Sequence, residues 1–324
     1  CNQDLVSSKT KNQIGFSISS MMRSVSSKNS RVTIREIDNK IGLSKIFLST
    51  HAHSRNFYLD SSLEIPHIGR YSFIGYDPFL TIQSKGQNIL LQDFRGITKK
   101  RGNPFDELRN LLNRFHLDTH IDSVPFTCGA VGYFAYDLCH FIEKLPSTTI
   151  DDINFPDMYF SFYDTILAHD HLENRCYLVS VDFSPHTIES TEKRIKQFTR
   201  ILNHASNMQE EPEIIGNTMK RKIISNFSKE GYLKTINSIK QYIRQGDIYQ
   251  VNLSQRFQTQ IDIPPHEIFR KLRKINPAPF SCYLKFDNKY VISSSPERFL
   301  SLRNIPNLDN RTNDLIMRKV QTRP

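Results

Sequence analysis

No apolar run in the sequence approaches the roughly 18 residues that cross a bilayer, so a membrane-spanning helix is not expected. Cysteine is sparse: Cys1, Cys128, Cys139, Cys176 and Cys282 are scattered, odd in number and without paired spacing. That distribution disfavours a disulfide framework or a zinc site and suits reduced thiols in the cytoplasm. A nucleophile elbow, a phosphate-binding loop and a Cys/His nucleophile pair are also missing, as are internal repeats. Gly129-Ala130-Val131-Gly132-Tyr133-Phe134 is too irregular for a dinucleotide loop, and tight packing of a strand accounts equally well for its small residues. His51 and His53 flank Ala52 without the carboxylate or cysteine pattern of a metal site.

What is present fits a globular chain. At 324 residues, 38% hydrophobic and 23% charged, the protein can form one large domain or two smaller ones. Its formal charge of +10 is dispersed, and the densest cluster, Arg270-Lys271-Leu272-Arg273-Lys274, reads as the solvated face of an amphipathic helix. Without a zinc-finger or RNA-binding signature, nucleic acid is not an expected partner. A modest positive field would instead help attract a small dianionic substrate.

Residues 1–30 are rich in serine and lysine and read as a poorly ordered extension. From 31 to 204, short apolar runs alternate with turn residues: Phe57-Tyr58-Leu59, Tyr71 to Gly75, Ile89-Leu90-Leu91, Thr165 to Ala168 and Cys176 to Val181 predict strands. Pro104 to His116 carries Phe105, Leu108, Leu111, Leu112 and Phe115 at helical spacing. Irregularly mixed strands and helices point to an α+β fold. Residues 205–226 are polar and aperiodic, as in an exposed linker.

In the last region, 227–324, Ser228 is placed to cap a helix whose inner face is Tyr232, Ile236, Ile239 and Ile243, with Gly246 ending it. A strand follows, with Tyr249, Val251 and Leu253 facing one way and Gln250, Asn252, Ser254 and Arg256 the other. A second helix begins after Pro264-Pro265 and must stop near Asn276, because Pro277 and Pro279 forbid continuation. Ser281–Phe286 and Lys289–Ser294 then pair across Asp287-Asn288.

Two features carry possible chemistry. The polar row Gln250, Asn252, Ser254 and Arg256 either meets water or lines a polar pocket, and Arg256 suits a bidentate carboxylate contact. Glu297, directly after Pro296, is either an ordinary exposed glutamate paired with Arg298 or a general acid aimed into a cleft.

Several of these segments together resemble a known family. Gly246 to Phe257, Asn276-Pro277-Ala278-Pro279-Phe280 and Ser295-Pro296-Glu297-Arg298-Phe299 are similar to component I of aminodeoxychorismate synthase, related to anthranilate, isochorismate and salicylate synthases. Leu59-Asp60-Ser61, Gly69 to Gly75, Gly129 to Tyr133, Tyr136-Asp137 and Pro156-Asp157-Met158 match its amino-terminal half in order. The resemblance implies two antiparallel sheets packed across each other, with outer helices and a cleft for chorismate. It implies amination of chorismate to 4-amino-4-deoxychorismate for para-aminobenzoate and folate synthesis, with ammonia from a glutamine amidotransferase subunit. It implies Mg2+ on the substrate carboxylate and Glu297 as the acid–base group, with the polar row's Gln250, Asn252 and Arg256 as the expected substrate contacts from the pattern above. Ser61, Pro279 and Phe280 match the region where relatives bind tryptophan.

The sequence given ends at Gln321-Thr322-Arg323-Pro324. In the family, the lysine or alanine that separates aminodeoxychorismate from anthranilate synthases lies beyond this point. So do the family's histidine, its metal-binding glutamates and its carboxylate-binding arginine and tyrosine. The expectation is therefore a chain inactive alone, with anthranilate synthase component I or a non-catalytic fragment as alternatives. Asn304 to Ile316 also looks like a loop insertion.

Overall fold

The computed structural model describes residues 23–25, 31–37, 40–63, 68–117, 124–148, 150–209, 222–305 and 317–322. The chain divides into a larger unit, Cys1–Glu211 with Phe269–Pro324, and a smaller one, Pro212–Ile268. The first elements are β1 (Arg23–Val25), β2 (Val32–Ile37), α1 (Leu43–Thr50), β3 (Arg55–Asp60) and β4 (Tyr71–Tyr76). Next come β5 (Leu80–Lys85), β6 (Asn88–Asp93), β7 (Gly96–Arg101), α2 (Pro104–Arg114), β8 (Gly129–Phe134) and a 3-10 turn at Tyr136–Phe141. Then follow β9 (Met158–Tyr163), β10 (Thr165–Asp170), β11 (Arg175–Val181), α3 (Thr191–Asn207), β12 (Ile224–Ser225) and α4 (Lys229–Gln245). The last are β13 (Phe257–Gln258), α5 (Pro265–Ile275), β14 (Phe280–Phe286), β15 (Lys289–Ser295), β16 (Leu300–Ile305) and β17 (Met317–Thr322).

Two antiparallel sheets organise the larger unit, one in the order β1-β2-β11-β10-β4-β3-β14-β15 and the other β7-β6-β5-β9-β8. Three apolar clusters show how they stack. Ile46 and Phe47 of α1, Ile195, Phe198 and Leu202 of α3 and Phe269 of α5 cover one face of the eight-stranded sheet through Tyr58, Ile74, Leu178 and Tyr283. Its opposite face, with Ile34, Phe57, Ile166 and Val179, meets Val131 and Tyr163 of the second sheet. Beyond that, Leu108 and Leu111 of α2 cover Leu80, Ile82, Ile89 and Met158. All six residues of β10 are buried, as expected for a central strand with both faces covered. Two packed antiparallel sheets with outer helices are the architecture expected from the sequence.

Local chemistry explains several element limits. Asn103 caps α2 by accepting from the Phe105 amide, with Pro104 at the first helical position. In β8, a Cβ on Gly132 would stand 2.7 Å from Cα of Phe160 on β9, so the small residues of that strand reflect close backbone approach. The expected hairpin closes at Asp287-Asn288, with Phe286 opposite Lys289.

The linker expected over 205–226 contains the last turn of α3, where Ala205 is buried, and β12; residues 210–221 lie outside the described residues. Of the extension expected over 1–30, only β1 is described, and it pairs with β2. The loop expected at Asn304 to Ile316 lies mostly outside them too, between the paired strands β16 and β17. Among the described residues no helix is long and apolar enough to cross a membrane.

Candidate functional site

The expected substrate-contact residues lie in the smaller unit. There Ser228 Oγ accepts from the Gly231 amide at 3.0 Å, and Gly246 ends α4 in a left-handed conformation at φ 82°. The helix forms as its sequence predicts, yet none of its residues is buried. Tyr232, Ile236 and Ile239 are half-buried, and Ile243 is exposed.

The strand expected from Tyr249 to Phe257 is largely absent. Only Phe257–Gln258 is extended and paired, opposite Ile224–Ser225. Alternation supplies a face, but a strand also needs a backbone partner, and here that partner is two residues long. Asn226 reinforces the short ladder: its amide donates to the Arg256 carbonyl at 3.2 Å and its side chain accepts from the Arg256 amide at 2.8 Å. Gln250, Asn252, Ser254 and Arg256 are exposed, but so are Tyr249 and Val251 on the expected apolar side, where Leu253 is half-buried.

Glu297 lies in the larger unit, on the turn after β15. Ser295 Oγ donates to the Glu297 carbonyl at 3.0 Å, and Ser294 Oγ donates to the Asn276 carbonyl at 2.6 Å. Arg298 donates to the Ile68 carbonyl at 3.3 Å and lies 4.9 Å over the Phe280 ring. The Glu297 side chain itself is exposed.

Ser61, Pro279 and Phe280 are drawn into one wall of the larger unit. The buried Ser61 hydroxyl sits 2.8 Å from the Tyr71 carbonyl and 3.1 Å from that of Pro279, and it can donate to one of them at a time. Ser62 ties the same turn down, accepting from the Ala278 amide at 3.0 Å. A Cβ on Gly69 would come within 3.1 Å of Pro279 and 3.4 Å of Ser61, so the wall is tightly packed.

Behind this wall lies a group that the sequence pattern did not single out. Arg273 donates through Nε to the buried Asp60 carboxylate at 2.5 Å and sits 5.5 Å over the Tyr58 ring. Ser72 donates to the same carboxylate at 3.2 Å. Burial, then the Asp60 charge, pushes the Tyr58 phenol well above its ordinary pKa. The reading of residues 270–274 as a solvated face therefore fails at Arg273. Position 273 lies four residues after the buried Phe269 on α5 and so shares its face. That spacing was the available signal.

A cavity of about 630 Å3 elsewhere in the larger unit is lined by His53, Arg55, Asp77, Asp164 and Arg194, among others. The charges of these five residues are already engaged. Arg194 Nε donates to Asp164 at 3.1 Å and Nη2 to the Tyr76 and Asp77 carbonyls at 3.2 and 3.0 Å. His53 contacts Asp77 at 2.9 Å, and Arg55 donates to Gln92 and Asp287. Among the described residues no three His, Cys, Asp or Glu side chains are grouped to hold a metal ion.

Comparison with known proteins places this geometry. The model of the family described as chorismate binding enzyme matches residues 56–308, and the chain belongs to that family. It is 36% identical over 244 residues to anthranilate synthase component 1 of Acetivibrio thermocellus, covering 72% of this chain and 49% of that protein. It is 29% identical over 244 residues to aminodeoxychorismate synthase component 1 of Bacillus subtilis, covering 74% and 50%. A solved structure of anthranilate synthase component I from Streptococcus pneumoniae shares its fold, with a TM-score of 0.60 at 23% identity over 75% of this chain and 53% of that one. The chain spans about half the length of the curated relatives it matches.

Proposed function

We propose that this chain is the first portion of a chorismate-using component I, specifically of aminodeoxychorismate synthase, making 4-amino-4-deoxychorismate for para-aminobenzoate and folate synthesis. The family match over 56–308, which takes in both the Gly246–Phe257 segment and the Glu297 turn, supports the chorismate-using part of this reading. The choice of aminodeoxychorismate rests on the likeness of Tyr249-Gln250-Val251-Asn252-Leu253 and Pro296-Glu297-Arg298-Phe299 to that enzyme. In this reading Glu297 exchanges a proton at the departing ring hydroxyl, and Arg256 clamps a carboxylate with Gln250 and Asn252 beside it. Ammonia comes from a glutamine amidotransferase subunit. Tryptophan, where present, takes the wall of Ser61, Pro279 and Phe280.

Glu297, Gln250, Asn252 and Arg256 are all exposed in this chain. General acids and charge clamps act strongly where water is excluded and donors are held in advance. Closure of the site is therefore assigned to the half of the relatives' length that this chain does not span. In the same reading the Mg2+ ligands belong to that portion, as the family resemblance implies.

A second reading, anthranilate synthase component I, is favoured by the higher identity of the Acetivibrio relative, 36% against 29%. The test is incubation with chorismate, Mg2+ and ammonium, alone and with the carboxy-terminal half of the Bacillus subtilis relative. We expect no product from the chain alone, aminodeoxychorismate on complementation, and a loss of about a hundredfold or more for Glu297→Gln. Because the distinguishing lysine or alanine comes with the added half, the second reading is tested instead by sequencing the codons that follow Pro324, where an alanine in that motif would establish it and a lysine would exclude it. No product and no chorismate binding in either arrangement would mark a non-catalytic fragment.

A further inference from the structure

A smaller cavity, of about 210 Å3, opens between α2 and the β5-β6-β7 ladder. Leu80, Leu91, Leu111, Phe79 and Phe115 give it an apolar floor, and Asp93, Arg95, Lys100, Arg114 and His186 supply its charged and titratable groups. None of these residues is used in the function proposed above.

The cations are not equally satisfied. Arg95 is held by Asp93 through Nε at 2.9 Å, and Lys100 by Glu107 at 2.6 Å. Arg114 has no carboxylate partner among the described residues. It donates instead to Nδ1 of His186 at 3.2 Å, while its guanidinium lies 5.7 Å over the Phe115 ring. The His186 ring stands edge-on to Phe115 at 5.4 Å. Accepting from a guanidinium requires a neutral imidazole. Burial, then the charges of Arg114 and Arg95, accordingly lowers the His186 pKa. A guanidinium that meets an imidazole nitrogen and no carboxylate among the described residues, beside an apolar floor, keeps donors from which a carboxylate ligand could accept.

We propose that this cavity binds a small monocarboxylate with an apolar, ring-sized body, with Arg114 gripping the carboxylate and Phe115, Leu91 and Leu111 packing on the ring. The volume lies below the ~300–1,000 Å3 typical of drug-sized ligands, which suits one ring with one charged substituent. A planar fork matches a carboxylate better than a point charge would, and the adjacent ring face disfavours strongly hydrated ions.

The test titrates benzoate into the full chain, following the His186 ring resonances by NMR and the heat by calorimetry. Acetate, benzyl alcohol and inorganic phosphate serve as comparison probes. We expect saturable benzoate binding with His186 shifts, at least about tenfold weaker binding for Arg114→Ala, and partial recovery in Arg114→Lys. Acetate, lacking the ring, and benzyl alcohol, lacking the charge, should each bind at least about tenfold more weakly than benzoate. Absence of saturation below ~10 mM benzoate would overturn the proposal. So would affinity unchanged in Arg114→Ala, or phosphate or acetate binding as tightly as benzoate. The His186 shifts are read in the unaltered protein, so the outcome stands even if Arg114→Ala fails to fold.

Discussion

Helices α3 and α4 are matched in length and in capping, yet they end differently. Each has 17 residues, and each begins at a serine whose hydroxyl accepts from an amide of the first turn. In α3, Ile195, Phe198, Leu202 and Ala205 are buried against the eight-stranded sheet and α1. In α4, Tyr232, Ile236, Ile239 and Ile243 have the same helical spacing and none is buried. Forming a helix is a local matter of spacing and caps. Burying its face depends on what the rest of the polypeptide provides.

The largest expected effect breaks that comparison directly. Phe198→Ala empties a packed site and should cost about 3–5 kcal/mol, while Ile236→Ala on α4 should stay within about 1 kcal/mol. Denaturant titration with a probe in the larger unit measures both, and equal losses would mean that α4 is buried after all. Next come two glycines. Gly132→Ala drives a Cβ against the backbone of β9 and should cost about 1–3 kcal/mol. Gly246→Ala meets only the left-handed penalty at φ 82°, about 1 kcal/mol, with open space around it.

A pH dependence sharpens the contrast from the side of the larger unit. Burial alone would raise the Asp170 carboxyl, but hydrogen bonds from the Arg70 guanidinium and from the Glu173 and Leu172 amides outweigh it and hold the pKa down. A carboxylate depressed on folding stabilises the fold above its unfolded pKa of about 3.9 and loses that contribution as pH falls through the folded value. The melting temperature should thus drop below about pH 4, and Asp170→Asn should flatten that part of the profile. The smallest effect is Ser228→Ala, about 1 kcal/mol of helix stability at α4 and little change in the larger unit's melt, as circular dichroism would show.

The larger unit was the more legible in sequence. Its strands at Phe57-Tyr58-Leu59, Thr165 to Ala168 and Cys176 to Val181 lie where apolar runs end at turn residues, and the hairpin at Asp287-Asn288 is set by local chemistry. The pairing of β3 with β14, from Asp60 opposite Ser281 to Arg55 opposite Phe286, was not, because it joins segments more than 200 residues apart. Arg273 was misread for a related reason: its partner Asp60 is near in space and remote in sequence. At Tyr249 to Phe257 the alternation was real, but periodicity describes a face and cannot supply the neighbouring strand. The exposed position of Glu297 was likewise one of two readings that the bare sequence left open.

Amide hydrogen exchange across α3 and α4 of the same chain tests the central contrast most directly. Amides in the middle of α3 should exchange at least about tenfold more slowly than their counterparts in α4. Equal protection in the two helices would contradict that contrast, since it would require a cover over Tyr232, Ile236 and Ile239 that the described residues do not provide.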